Sequence, residues 1–206
     1  MEKYLAFDCS GKEIIVAAFN GKKYLEKSKE CSGTEFLMVL INEVLDKLKM
    51  DISEVEVLAC SVGPGSWTGA RVGVVTGYGL YCANKNLKLV KFNSFDLISY
   101  NDSDENIYIV QAYANFVYAK SLFGEMQCVT KEELERMAAG KKLVSRGDFL
   151  KGAKPCKRLK IRQVVEDKIS KGEFCKIEDI EPVYLRLSQA EYQFMEKQEK
   201  LKKGKN

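Results

Sequence analysis

An α/β fold is predicted for this 206-residue chain by three features: a run of short apolar strands at its start, a change to helical spacing near residue 34, and strand–helix–strand alternation to about residue 92. Tyr4 to Asp8 reads as an apolar strand that turns at Ser10-Gly11. Ile14 to Phe19 is a second strand, Asn20-Gly21 is a two-residue hairpin signal, and Lys22 to Lys27 is a third strand. From Thr34 to Leu48 the apolar residues Leu37, Leu40, Ile41, Val44, Leu45 and Leu48 recur at helical intervals. Val57 to Val62 is a buried strand entering a glycine-rich turn, a helix follows to about Asn84, and Leu87 to Phe92 is another strand. A three-strand meander followed by helix–strand–helix–strand is the order of a ribonuclease-H-like lobe.

The second half carries weaker signals. Asn101-Asp102-Ser103-Asp104 is a polar connection, and Ile107 to Gln111 and Phe116 to Phe123 read as paired strands. Thr130-Lys-Glu-Glu133 is a capping box that opens a short helix ending before Gly140. Ile161, Val164, Val165 and Ile169 predict one more helix with Gly172 at its C′ position, and Pro182 to Leu185 is extended. These divisions predict a first lobe over 1–100, a smaller lobe over 101–195 and a basic tail over 196–206. No internal repeat is visible.

Composition narrows the chemistry. The net charge is +4, hydrophobic residues make up 46% and no uncharged run reaches transmembrane length, so a globular cytoplasmic protein without a signal peptide is expected. Seven dispersed cysteines with no C-x-x-C pair suit a reducing compartment. There is no histidine, which removes Ser-His-Asp and Cys-His nucleophile activation and leaves no expected metal site. Asp, Glu and Lys chemistry stays open.

Four stretches bear on function. Gly63 to Gly73 follows a strand and opens a helix, where backbone N–H groups can hold an anion, but it matches neither a Walker A loop nor G-x-G-x-x-G. Gly65, Gly69, Gly73 and Gly77 line one side of that helix, and each glycine costs about 1 kcal/mol there. Packing on the lobe's own sheet and packing against a partner's helix both answer that cost. Asp8-Cys-Ser-Gly11 is either an ordinary turn or the remnant of a phosphate and magnesium site, with Asp8, Ser10 and Gly11 as the candidate cofactor-binding residues. Phe36, Met38 and Val39 widen the apolar face of the Thr34–Leu48 helix beyond its core stripe, which is met either by an interface or by cover from the second lobe. The basic run Lys151, Lys154, Lys157, Arg158, Lys160 and Arg162 is either a solvated face or a phosphate contact.

Leu5 to Ser10, Gly63 to Gly73, Asn93-Ser94-Phe95 and Pro182 to Arg186 with Ala190 resemble the bacterial TsaB (YeaZ) family of tRNA threonylcarbamoyladenosine biosynthesis. The resemblance implies a two-lobed ASKHA (actin/Hsp70-like) fold with a degenerate second lobe, lacking a Gly-Gly phosphate loop. It implies a non-catalytic subunit with no cofactor that dimerises with and activates a TsaD-type transferase, joined by a TsaE-type ATPase. tRNA would be met only through the complex, and a homodimer is expected when the chain is alone. In the family, the first two helices pack on those of the partner as a four-helix bundle. Carried onto this sequence, the interface comprises Phe36, Leu37, Leu40, Ile41 and Val44 on the first helix and Val72, Thr76 and Tyr81 on the second. Gly69, Gly73 and Gly77 would permit close approach. The sequence departs from many relatives at Gly33-Thr34-Glu35 and Gln111-Ala112-Tyr113. Two rival readings remain: a small nucleotide-dependent enzyme using Asp8, and a tRNA-binding module.

Overall fold

The computed structural model describes residues 1–30 and 35–185. The expected helix start at Thr34, the tail 196–206, and the family positions Arg186 and Ala190 lie outside the described residues.

The first sheet holds β1 (Tyr4–Asp8), β2 (Glu13–Phe19), β3 (Tyr24–Glu30), β4 (Val57–Ser61) and β5 (Lys88–Phe92) in the order β3-β2-β1-β4-β5. β1 to β3 form the antiparallel meander, while β4 and β5 run parallel to β1. The third strand starts two residues later than the spacing predicts. Phe19 pairs with Tyr24, and the Asn20 side chain accepts from the N–H groups of Lys22 (3.1 Å) and Lys23 (2.8 Å), which makes a four-residue turn. Every residue of β1 and β4 is buried, as expected for central strands covered on both faces.

Two helices cover one face of this sheet: α1 (Leu37–Leu48), which lies over β2 and β3, and α2 (Trp67–Ala83), which lies over β4 and β1. The periodic α1 residues pack with Leu5, Phe7, Val16, Leu58 and Leu89 in one core. The other face is covered by α5 (Ile161–Ser170), whose Ile161, Val164, Val165 and Ile169 pack on Tyr4, Ala6, Val57 and Val90. α5 ends in a Schellman arrangement: Gly172 has φ +67°, its N–H donates to Ile169 O at 3.0 Å, and the Glu173 N–H donates to Lys168 O at 2.9 Å.

The expected second lobe of 101–195 is therefore too long. α5 belongs to the first lobe by its packing, and so does the stretch after it: Cys175 bridges to Leu89 and Ile180 is fully buried in the α1 core. The apolar stripe of α5 has to be covered, and the first sheet offers the free face.

The second sheet holds β6 (Ile107–Gln111), β7 (Phe116–Ser121), β8 (Gln127–Thr130), β9 (Leu143–Ser145) and β10 (Lys154–Pro155), in the order β10-β9-β6-β7-β8. β6, β7 and β8 are an antiparallel meander, and β9 and β10 run parallel to β6. This repeats the strand order and directions of the first sheet, with the short α4 (Lys131–Ala138) in the place of α1. A loop takes the place of α2, and β9 and β10 shrink to three and two residues. The fold is the two-lobed ASKHA-like arrangement, and its second lobe is the reduced one.

Between the lobes sits α3 (Ser94–Ser99), which the sequence reading left out. Asn93 caps it: its side chain accepts from Phe95 N (2.8 Å) and Asp96 N (3.1 Å), while Asp96 accepts from Asn93 N (2.8 Å). Phe95 and Ile98 pack on the second sheet and Leu97 on the first, so α3 is a bracket joining two cores.

Candidate functional site

The parallel strands of both sheets end toward the same inter-lobe cleft, the usual location of ligands in such folds. Asp8 ends β1, the α2 and α3 N-termini follow β4 and β5, and Gln111 and Arg146 come from the ends of β6 and β9. The cleft has a volume of about 300 Å³; Ser10, Gly11, Lys12, Ser66 and Trp67 line it from the first lobe, and Gln111, Tyr113, Tyr118 and Arg146 from the second.

At its floor is a closed polar network. Asp8 is fully buried; its Oδ1 accepts from Ser10 N–H (2.9 Å) and Ser10 Oγ–H (2.6 Å). Arg146 Nη2 donates to Asp8 Oδ2, and Arg146 Nη1 donates to Ser10 Oγ and Ser94 Oγ, each at 2.7 Å. Ser94 Oγ in turn donates to Pro64 O at 2.7 Å. Burial by itself would push the Asp8 carboxyl up, but the Arg146 guanidinium, with the Ser10 and Ser61 hydroxyls, holds it below the usual carboxylate range. A Cβ on Gly11 would overlap the Arg146 guanidinium, so glycine there makes room for it.

Of the three candidate cofactor-binding residues, Ser10 and Gly11 therefore reach the cleft wall, whereas Asp8 lies beneath it. A metal–phosphate group does not fit Asp8 as it stands, because both carboxylate oxygens are already taken up and no face of the side chain reaches solvent. Arg146 was missed by sequence reasoning. Its one available signal was an arginine directly after an apolar strand, in Val144-Ser145-Arg146-Gly147.

Trp67 is a half-buried anchor whose ring lies 4.8 Å from that of Tyr184, with its Nε1–H donating to Tyr118 Oη at 3.4 Å. It joins α2, the second sheet and the extended 182–185 segment, where the Val183 N–H also donates to Val62 O at 2.8 Å. The basic run does not form one free patch. Lys151, Lys154, Lys157 and Arg158 are exposed, but Lys160 donates to Tyr100 O at 2.6 Å and Arg162 pairs with Glu166 at 2.9 Å.

The α1–α2 layer is the second candidate site, and here the expectation needs correction. Leu37, Leu40, Ile41 and Val44 are at most 5% exposed and belong to the core, because the sheet's width covers the whole periodic stripe. The glycine stripe is likewise turned inward. A Cβ on Gly69 would overlap Cys9 O, one on Gly77 would sit 2.6 Å from Cys60 Sγ, and Gly73 lies over Ser61 O. These glycines answer their helix cost by close packing on the lobe's own strands. Phe36, Val72, Thr76 and Tyr81 are half-buried at the margin. The outward apolar surface is narrower than the sequence suggests: Met38 (47% exposed) and Val39 (49%) on the first turn of α1, and Val75 (68%) on α2. Farther along α1 the outer face is polar, with Asn42, Glu43, Asp46 and Lys47.

Residues 32–193 match the family model described as TsaD: tRNA N6-adenosine threonylcarbamoyltransferase. Two proteins named tRNA threonylcarbamoyladenosine biosynthesis protein TsaB align over shorter stretches. The one from Buchnera aphidicola is 29% identical over 82 residues, 39% of this chain and 37% of its own length. The one from Haemophilus influenzae is 33% identical over 78 residues, 37% of this chain and 33% of its own. The alignments thus span little more than a third of these relatives. Two solved structures from Pseudomonas aeruginosa share the fold at 20% identity, each covering 90% of this chain and 100% of its own. One is described as YeaZ (TM-score 0.73), the other as an uncharacterized protein with similarity to peptidase YEAZ (TM-score 0.74). With most of its length matched, the chain belongs to the TsaD family; it is similar over part of its length to proteins named TsaB and in fold to YeaZ.

Proposed function

We propose that this chain is a non-catalytic accessory subunit in tRNA threonylcarbamoyladenosine formation, one that binds and activates a TsaD-type transferase through the outer face of α1 and α2. The observation that carries the reading is the uncovered apolar surface of Met38, Val39 and Val75 on two helices whose inner faces are already saturated by the sheet. Large apolar side chains about half exposed or more, on helices whose inner faces are already packed, suit a partner of the same helical architecture. Phe36, Val72, Thr76 and Tyr81 form the margin of that surface, and Leu37, Leu40, Ile41 and Val44 shape it from beneath.

The mechanism is differential binding. A subunit that prefers the competent conformation of the transferase raises the population of that conformation. The buried, arginine-paired state of Asp8 supports a role without chemistry of its own. A TsaE-type ATPase joins the pair, tRNA is met only through the complex, and all of this takes place in the cytoplasm. Without its partner the same face closes on a second copy of the chain.

Co-purification with the TsaD-type subunit tests the reading. Val39→Asp and Val75→Asp place a carboxylate in the contact and are expected to weaken association about a hundred-fold. Their melting temperatures should stay near the parent's, because neither side chain is buried. Variants that hold the partner as tightly as the parent would refute the proposal. Leu40→Asp serves as the contrast: it should fail by unfolding.

A further inference from the structure

We propose that Arg146 is a tethered substitute for the metal–phosphate group that a cleft of this architecture is shaped to hold, so that the two lobes are closed constitutively and without a ligand. The guanidinium stands against Asp8 and donates to two hydroxyls, that of Ser10 in the turn after β1 and that of Ser94 at the start of α3. It reaches them from the end of β9 in the second sheet, whereas Asp8 and Ser10 stand at the end of β1 in the first, so those bonds run between the lobes, and Ser94 opens the α3 bracket between them.

Two further observations support this assignment independently of the ion pair. The first is steric: Gly11 has no Cβ, and any Cβ there would overlap the guanidinium. The first lobe is thus shaped around the arginine. The second is topological. β9 occupies in the second sheet the place of β4 in the first, and the turn after β4 is the glycine-rich Gly63-Pro64-Gly65. At the equivalent point the second lobe presents Arg146-Gly147 and no helix. A side chain that brings its own positive charge stands where a loop would otherwise cradle a bound anion and its cation.

An arginine differs from an ion in one decisive respect. Being part of the chain, it cannot dissociate. Lobe closure in this chain is then independent of nucleotide and magnesium concentrations, and a partner meets one fixed geometry. Burying the pair carries a desolvation cost, offset here by the bond that Ser10 donates to Asp8 and the one that Ser94 accepts from Arg146.

The test uses the full chain, with thermal melts and small-angle scattering, in the presence and absence of millimolar Mg²⁺-ATP. The parent is expected to show the same melting temperature and the same radius of gyration in both conditions. Arg146→Met removes the charge but keeps the stem, and its folded-to-unfolded ratio should fall about a hundred-fold or more, because a buried carboxylate is left alone. Asp8→Asn/Arg146→Met removes that carboxylate and should recover about ten-fold of the loss. If Arg146→Met does not fold, a folded double variant beside it gives the same support. A parent that compacts or gains melting temperature on adding Mg²⁺-ATP overturns the proposal, and so does a double variant no more stable than Arg146→Met.

Discussion

Gly77 and Gly79 stand two positions apart on α2 and face opposite conditions. A Cβ at Gly77 meets Cys60 Sγ at 2.6 Å, whereas one at Gly79 meets nothing within 4 Å. Gly77→Ala is therefore expected to destabilise the chain by about 1–3 kcal/mol, since the sulfur beneath belongs to a packed strand. Gly79→Ala should stabilise it by about 0.5–1 kcal/mol by removing backbone freedom at an exposed helical position. Urea unfolding of both variants decides the point; equal effects would mean that the stripe is not packed as described.

Asp8 supplies a second prediction at this scale. Its carboxyl is held below the usual range when folded, so the stability it adds is present above its unfolded value of about 3.9 and is lost as pH falls through the lower folded value. The stability gap between the parent and Asp8→Asn should stay constant from about pH 5 to pH 8 and narrow below about pH 4. It closes once pH falls below the folded value, where the parent's protonated carboxyl and the amide of Asp8→Asn both leave Arg146 without a counter-charge. Sequence reasoning found Asp8, Ser10 and Gly11 together because they are consecutive. It could not find Arg146, which reaches them from 138 residues away. Nothing local marks a side chain whose partner is fixed only by the approach of two lobes.

Among the elements, legibility follows how far a signal depends on neighbours. The β1 strand, the α1 stripe and the Thr130 capping box were readable because periodicity and caps are local physics, and α1 ends at Leu48 as its spacing predicts. α3 was missed although Asn93 and Asp96 form a capping box, because six residues give too short an apolar pattern. β9 and β10 were missed for a different reason: strands of three and two residues owe their existence to their neighbours, β9 to β6 and β10 to β9. The same limit explains the interface reading. Periodicity identified the apolar positions of α1 correctly, but only the width of the sheet decides which of them remain outside.

The molecule as a whole is tied by its last described segment. After α5 the chain crosses back, bridging β5 at Cys175, burying Ile180 among α1 residues and reaching Trp67 with Tyr184. Ile180→Ala should therefore cost about 2–5 kcal/mol and loosen the first lobe, although residue 180 follows the whole of the second. Hydrogen exchange would register this as faster exchange in α1 and β4; faster exchange confined to residues near 180 would contradict it. The repeated strand order of the two sheets belongs to this scale too. It left no trace in the sequence because a topology needs only the pattern of apolar and turn residues, and the second lobe has replaced or shortened most of the residues that would have matched the first.

That unequal repetition also limits growth. A protein with two equivalent helical pairs, one on each lobe, could add copies head to tail without end. Here α4 is eight residues long with Leu134 as its buried apolar residue, and the counterpart of α2 is a loop. An assembly built through the α1–α2 face of the first lobe, as proposed above, would therefore stop at a pair instead of running on into a fibre.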